Sequence, residues 1–177
     1  MSKSIDTIFL LGYMGAGKTV IGRSLSKKLG FKFYDLDYYI EQIEGKTVSD
    51  IFNERNEVYF RKIENKYLHE LSLKSEKKII STGGGTPCFK NNLEIIQTSS
   101  NTISVYLKAN IETLVKRLLH SIEKRPIISH LKKEDELKEF ITKHLFERSF
   151  YYEKSDVKIK TDDIELKDIV KLIGELI

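Results

Sequence analysis

Residues 12–19 read Gly12-Tyr13-Met14-Gly15-Ala16-Gly17-Lys18-Thr19, which fits G-x-x-x-x-G-K-[ST]. They stand between an apolar run, 7–11, and a segment in which Ile21, Leu25 and Leu29 share one helical face. Strand, glycine-rich loop, helix: this order constrains the fold more than any other feature of the chain. Glycines let main-chain N–H groups close around a phosphate, and the helix adds the positive end of its dipole. Lys18 adds a point charge near the β- and γ-phosphates, and Thr19 offers a hydroxyl to Mg2+. Gly12, Gly15, Ala16, Gly17, Lys18, Thr19 and the adjoining Val20 are the expected contacts of ATP and its metal.

The rest of the chain keeps alternating. Strand signals recur at 31–36, 78–81, 102–107 and 157–159. Helical spacing covers 48–72, with a break near Asn56, then 111–119, and 164–177, where Leu166, Ile169, Val170 and Ile173 line one face. Such alternation predicts an α/β fold with a mostly parallel sheet covered on both faces. Between 121 and 133 the pattern lapses into a charged stretch holding Pro126, which reads as a mobile loop.

Composition narrows the setting. A chain of 177 residues suits one domain, 1–177, and its 40% apolar and 32% charged residues suit an ordinary folded protein. The net charge of +4 is spread along the sequence, which argues for an anionic small ligand and against nucleic acid. Cys88 is the only cysteine, so no disulfide can form within the chain. No export signal or membrane-length apolar run is evident, and a cytoplasmic protein without a membrane partner is expected.

A P-loop alone does not name a reaction, because GTPases, motor ATPases and small-molecule kinases all use one. Asp35 and Asp37 stand two apart at the end of a strand pattern, so their side chains are expected to start on opposite sides. One could face Mg2+ and its waters, and the other an acceptor hydroxyl, or the pair could be no more than a polar strand end or a helix cap. Arg61 and Glu64 are helical neighbours, either an anion site or a solvated ion pair that could equally involve Glu57. Gly83, Gly84 and Gly85 follow a strand and would allow a ligand close to the backbone, or form a flexible turn. Arg117, Arg125 and Arg148 lie at or near the aperiodic loop and carry the fork that recognises phosphates and carboxylates.

Taken in order, the P-loop, Asp35-x-Asp37, Phe60-Arg61-x-x-Glu64, Ser81-Thr82-Gly83-Gly84-Gly85, Arg125-Pro126, and Arg148 with Tyr152 resemble the shikimate kinase family over most of the chain. The resemblance implies a three-layer, nucleoside-monophosphate-kinase-like fold with a five-stranded parallel sheet. It also implies a helical substrate-binding region near 37–67 and a lid near 121–133. The implied reaction moves the γ-phosphate of ATP to the 3-hydroxyl of shikimate, on the route to chorismate and the aromatic amino acids. By position, Asp37 would bind the acceptor hydroxyls and act as or assist the base, Thr19 would ligate Mg2+ directly, and Asp35 would hold it through water. Arg61 and Arg148 would clamp the substrate carboxylate, with Glu64 orienting Arg61, while Gly83–Gly85 touch the substrate through backbone. Arg125 would reach from the lid to the transferring phosphoryl group, Arg117 would lie against adenine, and the enzyme would be a monomer.

Two rival readings remain at this level. Another small-metabolite kinase of the same fold would take gluconate or a nucleoside monophosphate. A nucleotide-dependent switch would bind without transferring, although the chain lacks Asn-Lys-x-Asp and Asp-x-x-Gly motifs.

Overall fold

The computed structural model describes residues 5–120, 127–131 and 133–177. Strands β1 (Thr7–Leu11), β2 (Lys32–Asp35), β3 (Lys78–Ser81), β4 (Thr102–Lys108) and β5 (Val157–Lys160) form one sheet in the order β2-β3-β1-β4-β5. Every neighbouring pair is parallel. The sheet separates helices α1 (Lys18–Leu29) and α7 (Leu166–Gly174) from α2 (Leu36–Glu44), α3 (Val48–Ser72), α4 (Asn92–Thr98), α5 (Ile111–Leu119) and α6 (Glu134–Tyr152).

The central strand shows why the layers form. All five residues of β1 are buried, as a strand covered on both faces requires. Ile8 and Leu10 enter the core with Ile21 and Leu25 of α1 and Ile169 and Ile173 of α7. Phe9 and Leu11 point the other way, into the core with Leu36, Leu68, Ile96, Leu118 and Ile141. The expected three-layer fold with a five-stranded parallel sheet is the one observed. Because all strands run the same way, the loops that follow them gather at one edge, where α/β proteins bind ligands.

Local differences from the sequence reading have physical causes. β2 stops at Asp35, which is already the N-cap of α2, its Oδ1 accepting from the N–H of Tyr38 at 3.5 Å. Asp37 therefore sits in the first turn of a helix, and strand alternation does not separate it from Asp35. Helix α7 begins only at Leu166, because its N-cap Glu165 is extended (φ −68°, ψ 147°). The break in α3 falls at Asn56, but at φ 73° and ψ 172° it lies outside the left-handed helical basin, in a region normally left to glycine. Its Oδ1 accepts from the N–H of Tyr59 at 3.1 Å, so the second half of α3 starts with its own cap.

Of the expected lid, 121–126 and 132 lie outside the described residues, and the expectation for Arg125 lies there with them. Ile128 is buried in the core with Leu118 and Leu137. Among the described residues, no helix is long and apolar enough to cross a membrane.

Candidate active site

A cleft of about 520 Å3 opens at the carboxyl edge of the sheet, lined by the P-loop, Asp35, Asp37, Gly83 and Gly84. Gly12 has φ 143°, and a Cβ there would stand 2.7 Å from the carbonyl oxygen of Leu107, so only glycine fits. Gly17 is the N-cap of α1 and no side chain caps that helix, which leaves its first N–H groups to an anion. Lys18 donates to the carbonyls of Gly12 at 2.8 Å and Tyr13 at 3.0 Å, folding its ammonium over the loop it serves. The Thr19 hydroxyl donates to Asp35 Oδ2 at 2.7 Å.

That pair fits the Mg2+ that a P-loop implies. Mg2+ takes hard oxygen ligands, keeps several waters and shares its shell with phosphate, so one hydroxyl and one carboxylate suffice. Among the described residues, no group of three His, Cys, Asp or Glu could hold a metal without such help.

Asp37 is half-buried, its carboxyl facing the cleft and hemmed in by protein. A Cβ on Gly83 would lie 3.1 Å from its Oδ1, so the glycine turn passes directly over it. Burial, then the neighbouring Glu64 and Asp35, push its pKa up to about 7 against the pull of Lys18 and Arg61. A carboxylate poised near neutrality can take a proton at working pH.

Arg61 is only 7% exposed, and of its two carboxylate partners Glu64 is buried while Glu57 stays half-exposed, so the expected pairs are both present and only one is solvated. Its Nη1 donates to Glu64 Oε2 at 2.9 Å, and Glu64 is fully buried. The other Glu64 oxygen accepts from the Thr86 hydroxyl at 2.6 Å, and the Thr86 carbonyl accepts from Asn92 Nδ2 at 2.8 Å. Every member of this chain is satisfied, which fixes the guanidinium. The ring of Phe89 lies 4.2 Å from Cζ, and a Cβ on Gly85 would come within 2.7 Å of Nη2. A Cβ on Gly84 would meet the N–H of Met14 at 3.2 Å. The glycine turn thus borders Asp37, the P-loop and Arg61 in succession.

Of the residues expected at the site, Arg61, Gly85 and Arg148 do not line this cleft; helix α6 adjoins it through Tyr13 and the glycine turn. Arg148 stands 5.7 Å from the ring of Tyr13, whose hydroxyl is 3.4 Å from Nδ1 of His144. Burial, then Arg148, lower the pKa of His144, favouring the neutral ring. The Tyr152 hydroxyl donates to the Gly84 carbonyl, tying α6 to the glycine turn. Arg117 spans the cleft mouth, donating to the carbonyls of Gly15 at 3.1 Å and Thr161 at 3.4 Å. Val20 lines the cleft from an exposed position. Burial pushes the Cys88 thiol up to about 11, so it stays protonated.

Sequence reasoning missed the far end of the cleft. Thr161 and Ile164 line it from the loop after β5, and Leu166 from the start of α7. The signal available was topological: a loop after a parallel strand opens onto the ligand edge. The same reasoning missed Thr86 and Asn92, ordinary polar residues until Glu64 is seen to need partners.

The family model described as shikimate kinase matches residues 14–177 of this sequence. The chain belongs to the shikimate kinase family. A shikimate kinase of Flavobacterium johnsoniae is 44% identical over 98% of this chain and 99% of that protein. The crystal structure of the shikimate kinase of Bacteroides thetaiotaomicron superposes with a TM-score of 0.89 at 39% identity, covering 96% of this chain and 97% of that one. That of Acinetobacter baumannii, solved in complex with shikimate, gives 0.87 at 31% identity over 98% and 93%. Shikimate kinases are ATP- and Mg2+-dependent transferases, and membership gives this chain that reaction class.

Proposed function

We propose that the chain phosphorylates the 3-hydroxyl of shikimate as a cytoplasmic monomer, without nucleic acid or membrane partner. In this reading the triphosphate of ATP lies on the P-loop from Gly12 to Val20, with Lys18 against the β- and γ-phosphates. The adenine lies between Arg117 and the loop after β5. Thr19 is the direct Mg2+ ligand and Asp35 holds the ion through water. When bound, Mg2+ neutralises charge on the β- and γ-phosphate oxygens.

Shikimate occupies the other half of the cleft, within a substrate-binding region of 37–67 in a single domain, 1–177. Arg61 and Arg148 hold its carboxylate, and Gly83, Gly84 and Gly85 let it approach the backbone. Asp37 accepts the proton of the attacking hydroxyl as its oxygen bonds to the γ-phosphorus. The bond from that phosphorus to the β–γ bridging oxygen breaks, and ADP leaves. Arg125, which lies outside the described residues, is assigned to neutralising charge on the transferring phosphoryl group, with the expected lid at 121–133.

The observation that carries this reading is the place of Asp37, in a cleft shared with Lys18 and separated only by Gly83 from Glu64, the buried partner of Arg61. A base poised between a phosphate cradle and a fixed guanidinium calls for a carboxylated alcohol. Mg2+-dependent ADP release measured with shikimate, gluconate and AMP as separate acceptors tests it. Stimulation by shikimate alone is expected; stimulation by either of the others and not by shikimate would overturn it.

A further inference from the structure

Arg61 has two acidic partners of unlike character. Glu64 takes Nη1, is fully buried, and is held by Thr86. Glu57 takes the other edge: its Oε1 accepts from both Nε and Nη2, each at 3.2 Å, while its side chain remains 55% exposed. One oxygen shared between two N–H groups pairs less well than two oxygens side by side. Glu57 follows the kink residue directly, so the break at Asn56 sets it one helical turn before Arg61. It also acts electrostatically on His144 of α6, one turn before Arg148. Glu57 thus holds the edge of Arg61 that Glu64 leaves, from a half-exposed position.

We propose that Glu57 is a gate for the acceptor site: it occupies the Nε–Nη2 edge of Arg61 in the empty protein and yields it to the substrate carboxylate. This rests on the assignment of Arg61 to that carboxylate. The gate keeps a buried guanidinium paired when no substrate is present. It also sets a threshold for entry. Because Glu57 is tethered beside its partner, a free monocarboxylate competes against a high local concentration. An acceptor whose hydroxyls also reach Asp37 gains enough further contact to win. Glu57 is therefore a specificity-determining residue that acts through Arg61, selecting polyhydroxylated carboxylates over simple ones.

Steady-state kinetics of the full chain test this with Glu57→Gln, Glu57→Ala and, in parallel, Arg61→Lys. Loss of an ion pair of this exposure should lower KM for shikimate about threefold, with kcat changing less than KM and KM for ATP unmoved. Inhibition by cyclohexanecarboxylate, an acid without hydroxyls, should tighten by at least the same factor. Unchanged or raised KM for shikimate in both Glu57 variants would overturn the gate, and a lowered melting temperature with no fall in KM would give Glu57 a structural role instead. If Arg61→Lys leaves KM for shikimate unchanged, the carboxylate assignment itself fails; a raised KM there with no gain in the Glu57 variants sinks the gate alone.

Discussion

In the proposed function, the nucleotide site and the acceptor site are built from different material. The nucleotide half stands on the ends of β1 and β2 and the start of α1, where main-chain geometry does most of the binding and the key residues are consecutive. The proposed acceptor site draws its residues from α2, α3, the glycine turn and α6, and a buried polar chain from Arg61 to Asn92 holds the α3 arginine. A site made of backbone tolerates few changes but needs few supports. One assembled from distant side chains depends on residues that never touch the ligand.

The sharpest way to separate the halves is to remove one group from each. Lys18→Ala should lower kcat roughly a thousandfold while leaving the melting temperature near that of the parent, because the lost charge serves the phosphates. Shikimate-dependent ADP release and thermal unfolding check both parts. Asp37→Asn should lower kcat at least a hundredfold and abolish the acidic limb of kcat/KM, which in the parent should fall below pH about 7. The sign for stability is opposite. A folded-state pKa raised from 3.8 to about 7 means the folded chain holds a proton that the unfolded chain releases, so stability drops as pH rises through that window. Asp37→Asn should therefore melt higher than the parent at pH 8, with the difference vanishing near pH 4.

Smaller effects probe the supports. Glu64→Gln should raise KM for shikimate about tenfold and destabilise by roughly 3 kcal/mol, since it strips charge from a buried pair, with ATP affinity held. Asn56→Gly should do the least: relief of the strained backbone at φ 73° outweighs a weakened cap, for a net gain of about 1 kcal/mol in thermal or denaturant unfolding.

The same contrast explains what the sequence made legible. The P-loop is eight consecutive residues with a strand before and a helix after, so pattern alone located it, and strand–helix alternation yielded the sheet. Asp35 and Asp37 are legible as residues, but a strand end and a helix cap look alike in sequence until Leu36 is seen to start α2. Arg61 was ambiguous from helical spacing; its burial depends on Glu64, Thr86, Asn92 and Phe89, which meet only in three dimensions. Thr161, Ile164 and Leu166 carry no reactive group, so nothing but their position after β5 could have marked them.

The central claim is that acceptor and nucleotide are held by separable parts of one cleft. Arg61→Ala tests it most directly when ATP affinity and shikimate-dependent turnover are measured on the same preparation. Turnover with shikimate should collapse while the dissociation constant for MgATP stays within about twofold of the parent. Weakened MgATP binding with unchanged KM for shikimate would contradict the account.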